Sequence, residues 1–125
     1  MSKRPVVVYL AHPFSGNPKE NVQKVTRIAQ KIIRFSVEGN STHFFAPVVP
    51  HLPLSIYNEE DNPQIRVVTE RVSTTMVGAC DEVWVVSNHL SEGMKLEIAA
   101  AMNADIPVRK WSEIVKLIPG IEEKT

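Results

Sequence analysis

Four short apolar runs, each followed by a stretch with helical periodicity, limit what this chain can fold into. The first run, Val6-Val-Val-Tyr-Leu10, is continuous and β-branched. Such a run suits a strand covered on both faces, because an alternating pattern is needed only where one face meets water. The other strands are expected at Thr42–Ala46, Val83–Val86 and Ile106–Arg109. Between them lie helical signals. Asn17 caps and Pro18 takes the first helical position, with Glu20 placed for a capping box. Val22, Val25, Ile28, Ala29, Ile32 and Ile33 then share one face, and Gly39 marks the exit. Asn62-Pro63 repeats the signal, followed by Ile65, Val68, Val72, Met76 and Ala79, with Gly78 near the end. Ser91 caps a helix from Glu92 to about Asn103, and Ser112–Leu117 forms a last short helix before Pro119.

Strand and helix therefore alternate. That order implies an α/β fold with a parallel sheet and right-handed crossovers. The expected architecture is a small doubly wound, Rossmann- or flavodoxin-like three-layer sandwich with a four- to five-stranded sheet. The 125 residues suit a single domain, with its core over about residues 5–118.

Composition narrows the partners. Fourteen basic and fourteen acidic residues cancel, so net charge offers no argument for nucleic acid or an anionic membrane. No apolar stretch approaches the roughly 18 residues of a membrane span. Cys80 is the single cysteine, which rules out an internal disulfide. It is expected to be a buried thiol in a reducing, cytoplasmic setting. No metal is expected, since His12, His51 and His89 lack ligand spacing, and no cofactor, since Ala11–Gly16 holds one glycine where a dinucleotide fingerprint needs three.

Ligands of doubly wound sheets bind beyond the carboxyl ends of the strands, near the switch in strand order. Three of the four histidines are predicted at that edge. His12, Ser15 and Gly16 follow the first strand, His51 the second, and His89 and Ser91 the third. Helix starts at Pro18 and Glu92 present free N–H groups that favour an anion such as phosphate. Ordinary capping is the plain alternative. Glu97 follows Gly93 by four residues and precedes Ala101 by four, so the three share a helix face. Gly93 leaves the space over that carboxylate open. The pattern alone leaves Glu97 either a solvated helix glutamate or an acid facing a ligand. Asp81, just before its strand, is expected at the opposite edge as a structural residue.

These motifs carry a resemblance. His12-Pro13-Phe14-Ser15-Gly16, Asn21, Pro50-His51-Leu52, Cys80-Asp81-Glu82-Val83-Trp84 and Ser91-Glu92-Gly93-Met94-Lys95-Leu96-Glu97-Ile98 occur in that order. Together they resemble the nucleoside 2-deoxyribosyltransferase-like superfamily over roughly residues 5–111. The likeness is greatest to a branch of bacterial and phage proteins, some of them domains of unknown function. The resemblance implies that Glu97 attacks the anomeric carbon of a nucleoside or nucleotide, with Tyr9 beside the sugar and the nucleophile. Ser91 matches the form found in deoxynucleoside 5′-monophosphate N-glycosidases, where the hydroxyl helps hold phosphate. Gly93, Met94, Ser15 and Gly16 would hold phosphate or sugar, and His51 and Arg66 are candidates for base or phosphate contacts.

One position departs. Members often carry an Asp eight residues before the match to Asp81, and here it is Ser73. Glu70, one turn earlier, is a possible substitute. Two readings follow: an N-glycosidase or deoxyribosyltransferase-like enzyme, or a non-catalytic nucleotide-binding module. A protein that kept only the fold for assembly is a third. Members usually assemble, so a homodimer or larger homo-oligomer is expected.

Overall fold

The computed structural model describes residues 4–13, 17–39, 44–49 and 63–122. Strand β1 (Val6–Ala11) leads into helix α1 (Pro18–Arg34), which widens into a π-helical turn over Phe35–Gly39. Strand β2 is Phe45–Val48, helix α2 Pro63–Gly78, strand β3 Glu82–Val85, helix α3 Glu92–Asn103, strand β4 Val108–Arg109 and helix α4 Trp111–Leu117. Among the described residues the sheet has four strands, all parallel, in the order β2-β1-β3-β4. This is the expected doubly wound sandwich.

Alternation along β1 divides the core. Val8 and Leu10 join Val25, Ile28 and Ile32 of α1, Trp84, and Ile114 of α4. Tyr9 and Ala11 point the other way, joining Val77 of α2 with Met94 and Ala101 of α3. Period-two side chains on a strand make this division unavoidable. So α1 and α4 cover one face and α2 and α3 the other. The first crossover runs from β1 to β2 and the third from β3 to β4. They leave the adjacent β1 and β3 in opposite directions, which puts the switch point between those two strands.

Several boundaries differ from the sequence reading, β1 among them, which runs one residue further, to Ala11. Strand β2 is centred later than Thr42–Ala46 and includes Pro47; Thr42 and His43 lie outside the described residues. Proline fits because, among the described residues, β2 is an edge strand with β1 on one side only. Strand β3 starts one residue early and stops at Val85, and α4 begins at Trp111. Strand β4 shrinks to two residues because Asp105 adopts a left-handed φ of 57° and the Ile106 N–H returns to the Ala101 carbonyl. That closes α3 and delays the strand.

Asp81 holds the opposite edge of the sheet, as expected. Its Oδ2 accepts from the Val7 N–H and its own N–H donates to the Val7 carbonyl, both at 2.8 Å. The bond from the Val7 N–H, then the Arg4 guanidinium, holds its carboxyl below the usual range.

Candidate functional site

Helix α3 sets the geometry. The Ser91 hydroxyl accepts from the Met94 N–H at 3.2 Å, and the Ser91 N–H donates to the Met94 sulfur at 3.4 Å. These reciprocal bonds start the helix at the residue read from the sequence. Gly93 sits in the first turn, and among the described residues a methyl group there would meet nothing nearer than the Ser91 hydroxyl at 4.0 Å. One turn on, Glu97 faces inward.

Glu97 is only 5% exposed. It is not the solvated helix glutamate that its pattern also allowed. Its Oε2 accepts a hydrogen bond from the Tyr9 hydroxyl, and Tyr9 is fully buried on β1. Burial pushes the Glu97 carboxyl up to about 7, and the Tyr9 bond opposes that rise. Burial first, and Glu97 second, push the Tyr9 phenol far above its ordinary range. Tyr9 is therefore a permanent donor. Ser73, on the inner face of α2, donates its hydroxyl to the Thr69 carbonyl at 2.9 Å, and its effect on the Tyr9 phenol opposes the rise.

The other candidates divide. Met94 is buried in the core and its sulfur caps the helix start, so it shapes the site from behind. His12 is 6% exposed at the end of β1, with Nδ1–H donating to the Pro13 carbonyl at 2.9 Å. That bond makes Nε2 the lone-pair nitrogen. Burial, then the Lys24 charge, pulls the imidazole below its ordinary value, against the Pro13 bond. By strand alternation His12 follows the α1 face, whereas Tyr9 and Glu97 lie on the α2–α3 face. The two are thus separate features of one sheet edge. Ser15, Gly16 and His51 lie outside the described residues, as does the side chain of Arg66 in α2.

Sequence reasoning missed Thr69, which is 5% exposed and supplies the carbonyl for Ser73. The signal was present. Thr69, Ser73 and Val77 recur at four-residue spacing, which aligns two polar groups on the inner face of α2. Cys80 is buried, with its thiol donating to the Met76 carbonyl at 3.2 Å. Burial, then Asp81, raises it, so a reactive thiolate is disfavoured. Among the described residues no group of acids, histidines or cysteines could hold a metal. No described helix is long and apolar enough to cross a membrane.

Fold and site together define a doubly wound α/β domain with a buried carboxyl beside its switch point. The chain belongs to the family described as a domain of unknown function, DUF7768, whose pattern it matches over residues 6–111. No curated protein is similar enough to match it.

Proposed function

We propose that the protein is a nucleotide N-glycosidase or deoxyribosyltransferase-like enzyme with Glu97 as its nucleophile. The observation that carries this reading is a buried carboxyl, bonded by a tyrosine, one turn below an open glycine at a helix start. The carboxylate would attack the anomeric carbon. The carbon–nitrogen bond breaks, its electron pair leaves with the base, and the base takes a proton from solvent. Water or a second base then displaces the glutamate ester. Phosphate or the sugar 5′-hydroxyl would rest on the Ser91 hydroxyl and the first N–H groups of α3. The resemblance of Ser91–Glu97 to the deoxyribosyltransferase-like superfamily supports the nucleotide class.

The test is base release, read by mass spectrometry, across nucleosides and nucleotides. Wild-type protein should release base and Glu97→Gln should not. Equal release by the two would end this reading.

A second reading, a non-catalytic nucleotide-binding module, is favoured by one observation. Ser73 stands where an acid would assist the departing base, help worth about 10²–10⁴-fold in rate. Ligand-induced thermal stabilisation without turnover would select it. Val67, Val68, Leu96 and Met102 are exposed apolar residues on α2 and α3, and we propose that a homodimer or larger homo-oligomer covers them. The single buried cysteine fits a cytoplasmic setting.

A further inference from the structure

Away from Glu97, an open cavity of about 440 Å³ lies between the end of α1 and the turn after α4. Its lining is Lys31, Arg34, Phe35, Glu38, Pro119 and Gly120. Helix α1 runs back from the carboxyl end of β1 to the amino end of β2. Its last turns therefore lie at the opposite edge of the sheet from the start of α3. Lys31, Phe35 and Glu38 recur at spacings of four and three, with Arg34 beside Phe35, so one helix face supplies all four side chains.

Two basic residues in the last turn of α1 have a plain reading, compensation of the helix dipole. The helix does not end there, however. Phe35 keeps helical geometry, with φ −57° and ψ −43°, and the backbone continues as the π-helical turn to Gly39. The free carbonyls thus lie beyond Arg34, and the dipole acts only over about one turn. Lys31 instead donates to the Ile121 carbonyl at 3.4 Å, which draws it onto the wall formed by the turn after α4. On that wall Gly120 has a φ of 83°, and among the described residues nothing lies within 4 Å of where its side chain would start. Bare backbone there leaves room for a ligand. Short π-helical turns are themselves frequent at functional sites.

The chemistry of the lining is ordered along α1. Lys31 and Arg34 come first, then Phe35, and Glu38 lies one turn on, about 6 Å from Arg34 at the helical rise. Two cations against one acid favour an anion. A guanidinium holds a carboxylate or phosphate by two parallel bonds, and a carboxylate accepts from an ammonium group. The volume suits a small molecule. We propose that this cavity binds a small organic zwitterion, with its anionic group on Arg34 and Lys31, a flat apolar body on Phe35 and Pro119, and its amine on Glu38. This inference does not depend on the glycosidic reading.

The test titrates the whole chain with para-(aminomethyl)benzoate, benzoate and benzylamine. The Gly120 amide signal reports this cavity, and the Gly93 amide reports the start of α3. Gly120 should move saturably while Gly93 stays still. Affinity should fall in the order para-(aminomethyl)benzoate, benzoate, benzylamine. Arg34→Gln should weaken the first two about fivefold, the upper worth of an exposed ion pair. Glu38→Gln should weaken para-(aminomethyl)benzoate about threefold and leave benzoate no weaker. Both residues are exposed and glutamine is a good helix former, so both variants should fold. No saturable movement of Gly120, benzylamine ahead of benzoate, or equal loss of both acids in Glu38→Gln overturns the proposal. None of these probes is a nucleotide, so either result leaves the test of base release intact.

Discussion

At the scale of single residues, Glu97 sets the behaviour of the site. In the unfolded chain this glutamate ionises near its ordinary 4.5, and in the folded protein near 7. Between those values the unfolded chain holds fewer protons, so stability falls as pH rises; below 4.5 and above 7 the contribution is flat. The full loss is about 3 kcal/mol. Glu97→Gln keeps an oxygen for Tyr9 and never ionises. It should match the wild type below pH 4.5 and exceed it in denaturant stability above pH 7. The reverse order above pH 7 would mean that the carboxylate is better solvated than its burial indicates. For catalysis the sign is opposite, because a nucleophile must be ionised. Below pH 7, kcat/KM for base release should fall about tenfold per pH unit. Gly93→Ala makes a second test. Among the described residues a methyl group there meets only the Ser91 hydroxyl, and helix propensity improves by up to about 1 kcal/mol. The variant should be no less stable by thermal melting, yet lose nucleotide-induced stabilisation, because the methyl fills the space above Glu97.

At the scale of elements, the start of α3 carries two loads that can be separated. Ser91 caps the helix through its hydroxyl oxygen, and Ser91→Ala should cost about 1 kcal/mol in chemical denaturation. Aspartate caps as well as serine but brings a negative charge. Ser91→Asp should therefore keep the melting temperature while weakening 5′-monophosphates more than the free nucleosides, read by titration calorimetry. Equal weakening of both would place the phosphate elsewhere. Element ends were legible where side chain and backbone cooperate, as at Asn17 and Ser91. They were not legible where a strand ends through pairing. The expected strand stopped at Ala46, short of Pro47, because only the strand order makes β2 an edge, and β4 was cut short by a backbone turn at Asp105.

At the scale of the whole molecule, the two faces of the sheet have different tasks. The α1–α4 face holds the larger apolar cluster, with Trp84 fully buried and edge-on to Phe45 at 4.9 Å. The Trp84 indole N–H and the Arg109 guanidinium both donate to Glu82, at 2.9 and 2.7 Å. Trp84→Ala should cost about 3–5 kcal/mol in chemical denaturation, a large share of what a domain of this size has. A loss below 1 kcal/mol would mean that this face can collapse around the void. The α2–α3 face gives up apolar packing to bury Glu97, Tyr9 and Thr69. It also exposes Val67, Val68 and Leu96, so sedimentation at micromolar concentration should find an oligomer. A monomer there would remove the proposed self-association.

The sequence by itself determined the fold class and the start of the site helix. Apolar runs alternating with helical periods admit a parallel doubly wound sheet, and Ser91 with Gly93 and Glu97 on one helix face marks its important end. Those are local and periodic properties, and side-chain chemistry writes them directly into the chain. Only the tertiary structure decided which way Glu97 faces, because four-residue spacing serves a solvated helix face and a buried one equally well. The partner of Glu97 lies 88 residues away, on β1. No local pattern encodes a contact made by packing two helices over a strand. Ser73 makes the point as well: in the sequence it stands where an acid is expected, and in the fold its hydroxyl bonds back to the Thr69 carbonyl of its own helix.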